Sequence, residues 1–127
     1  MPLKMDTSKS GLGMFMKDYQ ELAFRYLWSL SGEGASSHDV WVNVNKELGA
    51  KRIGRTSISR AAIIIFLDAM VEDGLLACTE ETGKGGYRRI YRVKYDENDL
   101  KEHVAGVVIR SLLRNFSEET RRAMGEG

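Results

Sequence analysis

The chain has 127 residues, 43% hydrophobic and 29% charged, with a formal net charge of +1, which suits one compact soluble domain with an appended element that folds without metal or disulfide. Its one cysteine, Cys78, excludes an intrachain disulfide and fits a reducing compartment. The first sixteen residues lack the apolar core of a secretion signal, and the longest apolar run, Ala61 to Leu67, is too short to cross a bilayer, so a cytoplasmic protein with no membrane partner is expected.

Residues 1–16 mix Gly, Ser and Lys with a short apolar patch, Met14-Phe15-Met16, and are read as an N-terminal arm whose end packs onto the body. Helical spacing begins at Lys17. Tyr19, Leu22, Ala23, Tyr26, Leu27 and Leu30 fall on one stripe, with Phe24 and Trp28 on another, so this helix should have two neighbours. Ser31 to Gly34 breaks the pattern. Ser36 or Ser37 can cap a second helix, with Val40, Val44 and Leu48 on its inner side and Gly49 at its end. A third helix is predicted from a Thr56-Ser57 cap to about Asp73, stopping at Gly74. Its middle is apolar all round, and a buried strand is the rival reading of residues 63–66. A stripe of Ile58, Ala62 and Ile65 is taken as its inner face.

After Gly74 the composition favours strands. Leu75 to Thr79 is β-tolerant, residues 82–86 make a turn, and Tyr87 to Tyr95 is rich in Tyr, Ile and Val. Along that strand Arg88, Ile90, Arg92 and Lys94 should share one side, and the tyrosines are read as packing under the sheet. A long helix follows from Glu97 to about Phe116, continuing towards Met124, with Asp96 or Asn98 near its cap. The domain plan is therefore an arm over 1–16, a winged-helix domain over 17–95 and a C-terminal dimerisation helix over 97–124. The expected fold class is mainly α with a small antiparallel β wing: a winged helix-turn-helix plus a long terminal helix.

The small net charge hides segregation. Lys51 to Arg60 holds Lys51, Arg52, Arg55 and Arg60 without an acid, and Lys84 to Lys94 holds Lys84, Arg88, Arg89, Arg92 and Lys94 without one. A polyanion responds to such local fields, not to the total. In a DNA reading, Arg52 and Arg55 lie just before the third helix and Thr56, Ser57 and Ser59 in its first turn, where free amides favour a phosphate. Arg60 is a candidate for bidentate contact with guanine, or for a phosphate, and Ile64, if exposed, can touch a thymine methyl. Lys84 and Arg88 place the glycine-rich wing on the sugar-phosphate backbone.

At this point the residues resemble a known group, the prokaryotic winged-helix regulators of the penicillinase-repressor type. The resemblance rests on Leu27-Trp28 closing the first helix, on residues 57–76 (SISRAAIIIFLDAMVEDGLL) and on residues 82–91 (TGKGGYRRIY) as the wing. It implies a homodimer joined through its C-terminal helices, with the third helix of each copy in a major groove of double-stranded DNA. Ile63 to Ile65 depart from the polar groove-facing residues the type would have there. The cysteine pairs of copper-responsive relatives are absent, so metal sensing does not carry over.

Independently, the terminal helix offers more apolar surface than its own domain can cover: Val104, Val108, Ile109, Leu112, Leu113 and Phe116 are read as dimerisation residues, with folding back onto the domain as the alternative. Converging catalytic groups are missing. His38 and His103 share no metal-ligand spacing with Cys78, no cofactor fingerprint occurs, and the acidic pairs look like surface, so the chain is read as no enzyme, with no metal and no cofactor. His38 is taken as a cap or phosphate neighbour and Cys78 as a buried structural thiol. Nothing in the sequence specifies a small-molecule effector. Two other functions remain open: a winged-helix module for protein assembly in a transcription or chromatin complex, and an RNA-binding winged helix.

Overall fold

A computed structural model of the chain describes residues 4–51, 56–83 and 86–125. Seven main elements follow in order: α1 (Asp18–Ser29), α2 (Ser37–Lys51), α3 (Arg60–Glu72), β1 (Leu76–Gly83), β2 (Gly86–Val93), α4 (Glu97–Asn115) and α5 (Ser117–Ala123). They form two compact units, Met1–Tyr95 and Asp96–Gly127. The first has the winged helix-turn-helix order, three helices and then an antiparallel hairpin. Among the described residues no helix is long and apolar enough to cross a membrane.

Phe66 on α3 anchors the core of the first unit. Its ring meets Tyr19 and Phe24 of α1 edge-on, at centroid distances of 6.1 and 5.9 Å, an arrangement the ring quadrupoles favour. Leu22, Ala23 and Leu27 of α1, Val40, Val44 and Leu48 of α2, and Ile63, Leu67 and Met70 of α3 are buried in the core. The second α1 stripe also finds work: Phe24 is buried, and Trp28 donates its Nε1–H to the Tyr95 carbonyl at 2.9 Å. Leu12 and Met16, near the end of the N-terminal segment, are buried as well.

Helix ends follow local chemistry. Gln20 accepts from the Lys17 backbone N–H at 2.9 Å at the start of α1, and Ser36 accepts from Asp39 N–H at 3.3 Å at the start of α2. Gly49 does not end α2, which runs on to Lys51. At the other end of α3, Leu75 N–H donates to Met70 O and Gly74 N–H to Val71 O. Gly74 sits at φ +79°, so this is the paired closure in which glycine fits the left-handed position.

The hairpin is longer than the sequence suggested. Its ladder pairs Leu76 with Val93 and runs out to Gly83 opposite Gly86, so residues 80–82, read as acidic surface and turn, are strand. Ala35 bridges to Tyr91 through both backbone bonds, 3.0 and 2.8 Å, adding a third short partner to the sheet. Gly34 makes that approach possible. It holds φ +80°, and a Cβ there would lie 2.6 Å from Tyr91 O and from Arg92 Cγ.

In the second unit, Asp96 caps α4 by accepting from Asp99 N–H at 2.7 Å. The predicted continuous helix is in fact two. Phe116, at φ −152° and ψ 79°, interrupts it, and the Thr120 hydroxyl folds α5 back by donating to the carbonyls of Phe116 and Leu112 at 2.7 and 3.2 Å. Once turned inward, Thr120 is buried.

The close approach at Gly34 yields a direct test. Gly34→Ala should destabilise the chain by at least about 2 kcal/mol, since it adds left-handed strain to a backbone collision. Urea unfolding monitored at Trp28 and Trp41 reads this, and a loss below about 0.5 kcal/mol would contradict it.

Candidate nucleic-acid interface

Long-range contacts, not its own residues, set the start of α3. Asn45 on α2 accepts from the Ile58 backbone N–H at 2.7 Å and donates to the Ile58 carbonyl at 3.2 Å, and Trp41 donates its Nε1–H to the same carbonyl at 2.9 Å. With its acceptor occupied, Ile58 cannot open the helix, and Ser59 becomes the cap, accepting from Ala62 N–H at 3.1 Å. Thr56 and Ser57 therefore precede the helix, correcting their assignment to its first turn, and Arg60 is the first helical residue.

The inner face of α3 is also corrected. Ile63, Phe66, Leu67 and Met70 point inward, whereas Ile65, assigned to the core stripe, is 70% exposed. Ala62 and Ile58 are half-buried. In a run that is apolar all round, periodicity leaves the phase open, and the large Phe66 ring settles it by docking on α1. Facing out are Arg60, Ala61 and Ile65, with Ile64 half-buried beside them and Glu72 at the far end.

The wing is tied to this helix through Asp68. The Tyr91 hydroxyl donates to Asp68 at 2.6 Å and Arg89 donates to it at 2.8 Å. Arg89 also lies against Cys78 Sγ at 3.2 Å. Cys78 is half-exposed, not buried as the sequence suggested. Burial, then the bond to Asp68, pushes the Tyr91 phenol far above its ordinary range. Contact with Cys78 is the main cause raising the Arg89 guanidinium. Both donors thus keep their protons at any physiological pH. Tyr87 departs from the expected packing: it is 65% exposed, and a bond to Glu80 raises its phenol.

The acid-free strand is not field-free on its own sheet. Pairing places Glu80 opposite Arg89 and Glu81 opposite Arg88, and Arg92 bonds Glu81 at 3.1 Å and Thr79 at 2.6 Å. Arg92 is therefore committed within the wing, and Arg89 to Asp68 of α3. Arg88 and Arg60 are exposed and have no hydrogen-bond or ion-pair partner among the described residues. These two converge. A cleft of about 460 Å³ is lined by Ser37, His38 and Asp39 from the first turn of α2, Arg60 and Ile64 from α3, and Tyr87, Arg88, Arg89 and Tyr91 from β2. His38 is exposed, its ring 5.7 Å from that of Trp41. Arg52, Arg55 and Lys84 lie outside the described residues. Sequence reasoning missed Ser37, Asp39 and Tyr87 as cleft residues; Tyr87, next to the wing glycines, carried the one available signal.

In the second unit Ile109, Leu112 and Phe116 line an apolar cleft of about 430 Å³ with Thr120, Ala123 and Met124 of the α5 side. Ile109, Phe116 and Met124 are exposed, and Val108, Leu112 and Leu113 are half-buried. Val104, on the same helix, is 1% exposed. Among the described residues no cluster of three His, Cys, Asp or Glu side chains could hold a metal.

No protein-family profile matches the chain, and no curated protein matches it. Among solved structures, a PadR-family transcriptional regulator from Eggerthella lenta DSM 2243 matches at 21% identity over 77% of this chain and 86% of that one, with a TM-score of 0.45. A likeness that distant carries no functional inference.

The tie between wing and helix makes an unequal demand on its two donors. Tyr91→Phe removes a part-buried bond to a carboxylate and should cost about 1.5–3 kcal/mol. Arg89→Ala removes a half-exposed ion pair and should cost under about 1 kcal/mol. Urea unfolding of both variants checks the order, and equal costs would contradict it.

Proposed function

We propose that the chain is a double-stranded DNA-binding transcriptional regulator, a cytoplasmic homodimer that represses by occupying its site. The observation that carries this is the shared cleft: Arg60 and Ile64 of α3, Arg88 of the wing and the first turn of α2 open onto one surface. In the proposed complex α3 enters a major groove while Arg88, with Lys84, holds the flanking backbone. Arg52, Arg55, Thr56, Ser57 and Ser59 lead into that helix and meet phosphates beside it. Cations there displace condensed counterions, the main source of duplex affinity, and the amino end of α2 favours an anion. Arg60, in the first turn of α3, is the guanine reader. Asp39 opposes the phosphate field at the cleft, so affinity rests on few cations. Within this class, residues 57–76 and 82–91 support a kinship with the penicillinase-repressor type. The apolar cleft of the second unit is the dimer face, and a two-fold dimer would present two α3 helices to a pseudo-palindromic site.

A second reading draws on a specific feature. The outward-facing Ile65 suits a protein-assembly module, because exposed apolar groups mark protein contacts. Duplex binding in a salt series separates the two. A regulator binds selected duplexes with affinity falling steeply in salt, and an assembly module binds weakly without a preferred site. Arg88→Ala should weaken all duplexes alike and lower the salt slope by about 0.9 for each phosphate left unneutralised. Arg60→Ala should in addition relax preference at one base pair, by about 1–3 kcal/mol of discrimination; a uniform loss would remove its base-reading role. For assembly, Ile109→Glu should turn dimer into monomer by light scattering, and a monomeric wild type would contradict the dimer.

A further inference from the structure

We propose that α3 reads its site mainly through thymine methyl groups, contacted by Ala61, Ile64 and Ile65. This deepens the duplex-binding reading and rests on it.

The outward surface of the first two turns of α3 is unusually poor in hydrogen-bonding groups. Ala61 and Ile65 are exposed, Ile64 is half-buried and opens on the cleft, and Arg60 is the one polar side chain from Arg60 to Leu67. The first polar residue after that run, Asp68, is held by Tyr91 and Arg89. Glu72 lies a turn further on, where a second acid would be repelled by phosphates, so the contact is confined to the amino-terminal half. In a major groove, guanine, cytosine and adenine edges offer only donors and acceptors, whereas thymine adds a C5 methyl. Pressing isoleucine onto the first three strands polar groups without partners. Against thymine, the same contact buries apolar surface on both sides.

Charge decides between DNA and a protein as the occupant. Arg60 and Arg88, neither with a partner among the described residues, line the cleft alongside Ile64. Cations bordering an apolar stripe complement a methyl-lined groove between two phosphate rows, whereas an apolar protein surface would leave both guanidinium groups unanswered.

The test uses a duplex selected from a random pool with the full chain. Each thymine is replaced in turn by deoxyuridine, which keeps the base pair and lacks only the methyl. Wild type should lose about fourfold in affinity at each contacted position, the worth of one buried methyl. Ile65→Ser, at an exposed site and so not expected to disturb folding, should bind thymine and uracil duplexes equally at its position. Equal binding of all uracil duplexes by wild type would overturn this proposal alone, leaving duplex recognition intact. An Ile65→Ser variant that keeps the wild-type preference at every thymine would overturn the assignment of methyl reading to Ile65. Failure to bind any duplex at low salt would overturn both readings.

Discussion

Tyr91 is where the elements of the proposed interface are held in register. Its backbone exchanges both hydrogen bonds with Ala35, fixing the residue that leads into α2. The residue is 2% exposed, and its hydroxyl reaches Asp68 on α3. The three parts of the cleft, the amino end of α2, the outer side of α3 and the wing strand, are thus joined through one side chain and its peptide. Cooperative geometry of this kind matters for binding, because it holds α3 and the wing strand at one fixed spacing for a single duplex surface. The neighbouring Arg89 supplies a second, half-exposed bond to the same carboxylate, which screening by water makes the weaker of the two.

The electrostatics of the wing follow from strand pairing. A sequence of basic residues without an acid looks like a uniform positive strip, but an antiparallel partner is adjacent in space and distant in sequence. Glu80 and Glu81 arrive opposite Arg89 and Arg88, Arg92 is held within the hairpin by Glu81 and Thr79, Arg89 reaches across to Asp68, and Arg88 and Arg89 both line the cleft. A near-neutral chain can therefore still present a small cationic site, provided its internal pairs are subtracted first.

Much of the architecture was legible because it depends on local chemistry. The helix stripes of α1 and α2, the Gly74 stop and the strand composition after it all reflect period, cap or turn propensity. What sequence reasoning misplaced depends on contacts between distant residues. The start of α3 moved because Asn45 and Trp41 occupy Ile58. The phase of α3 turned because Phe66 chose its neighbours among α1 aromatics, exposing Ile65. The terminal helix broke at Phe116 without glycine or proline, through a Thr120 hydroxyl whose acceptors lie four and eight residues back; the acids Glu118 and Glu119, suited to a first turn, were the local hint. At the candidate site, Arg60, Ile64 and Arg88 were legible as residue types, while their meeting with Ser37, His38 and Tyr87 was not.

In the proposed complex one surface of the first unit, built around Tyr91, receives duplex DNA. Backbone amide shifts recorded while a selected duplex is titrated into the full chain test it most directly. Changes should concentrate at Ser37 to Asp39, Arg60 to Ile65 and Tyr87-Arg88, moving together at one apparent affinity. Changes confined to α4 and α5, or spread evenly with no cluster at those three segments, would contradict it.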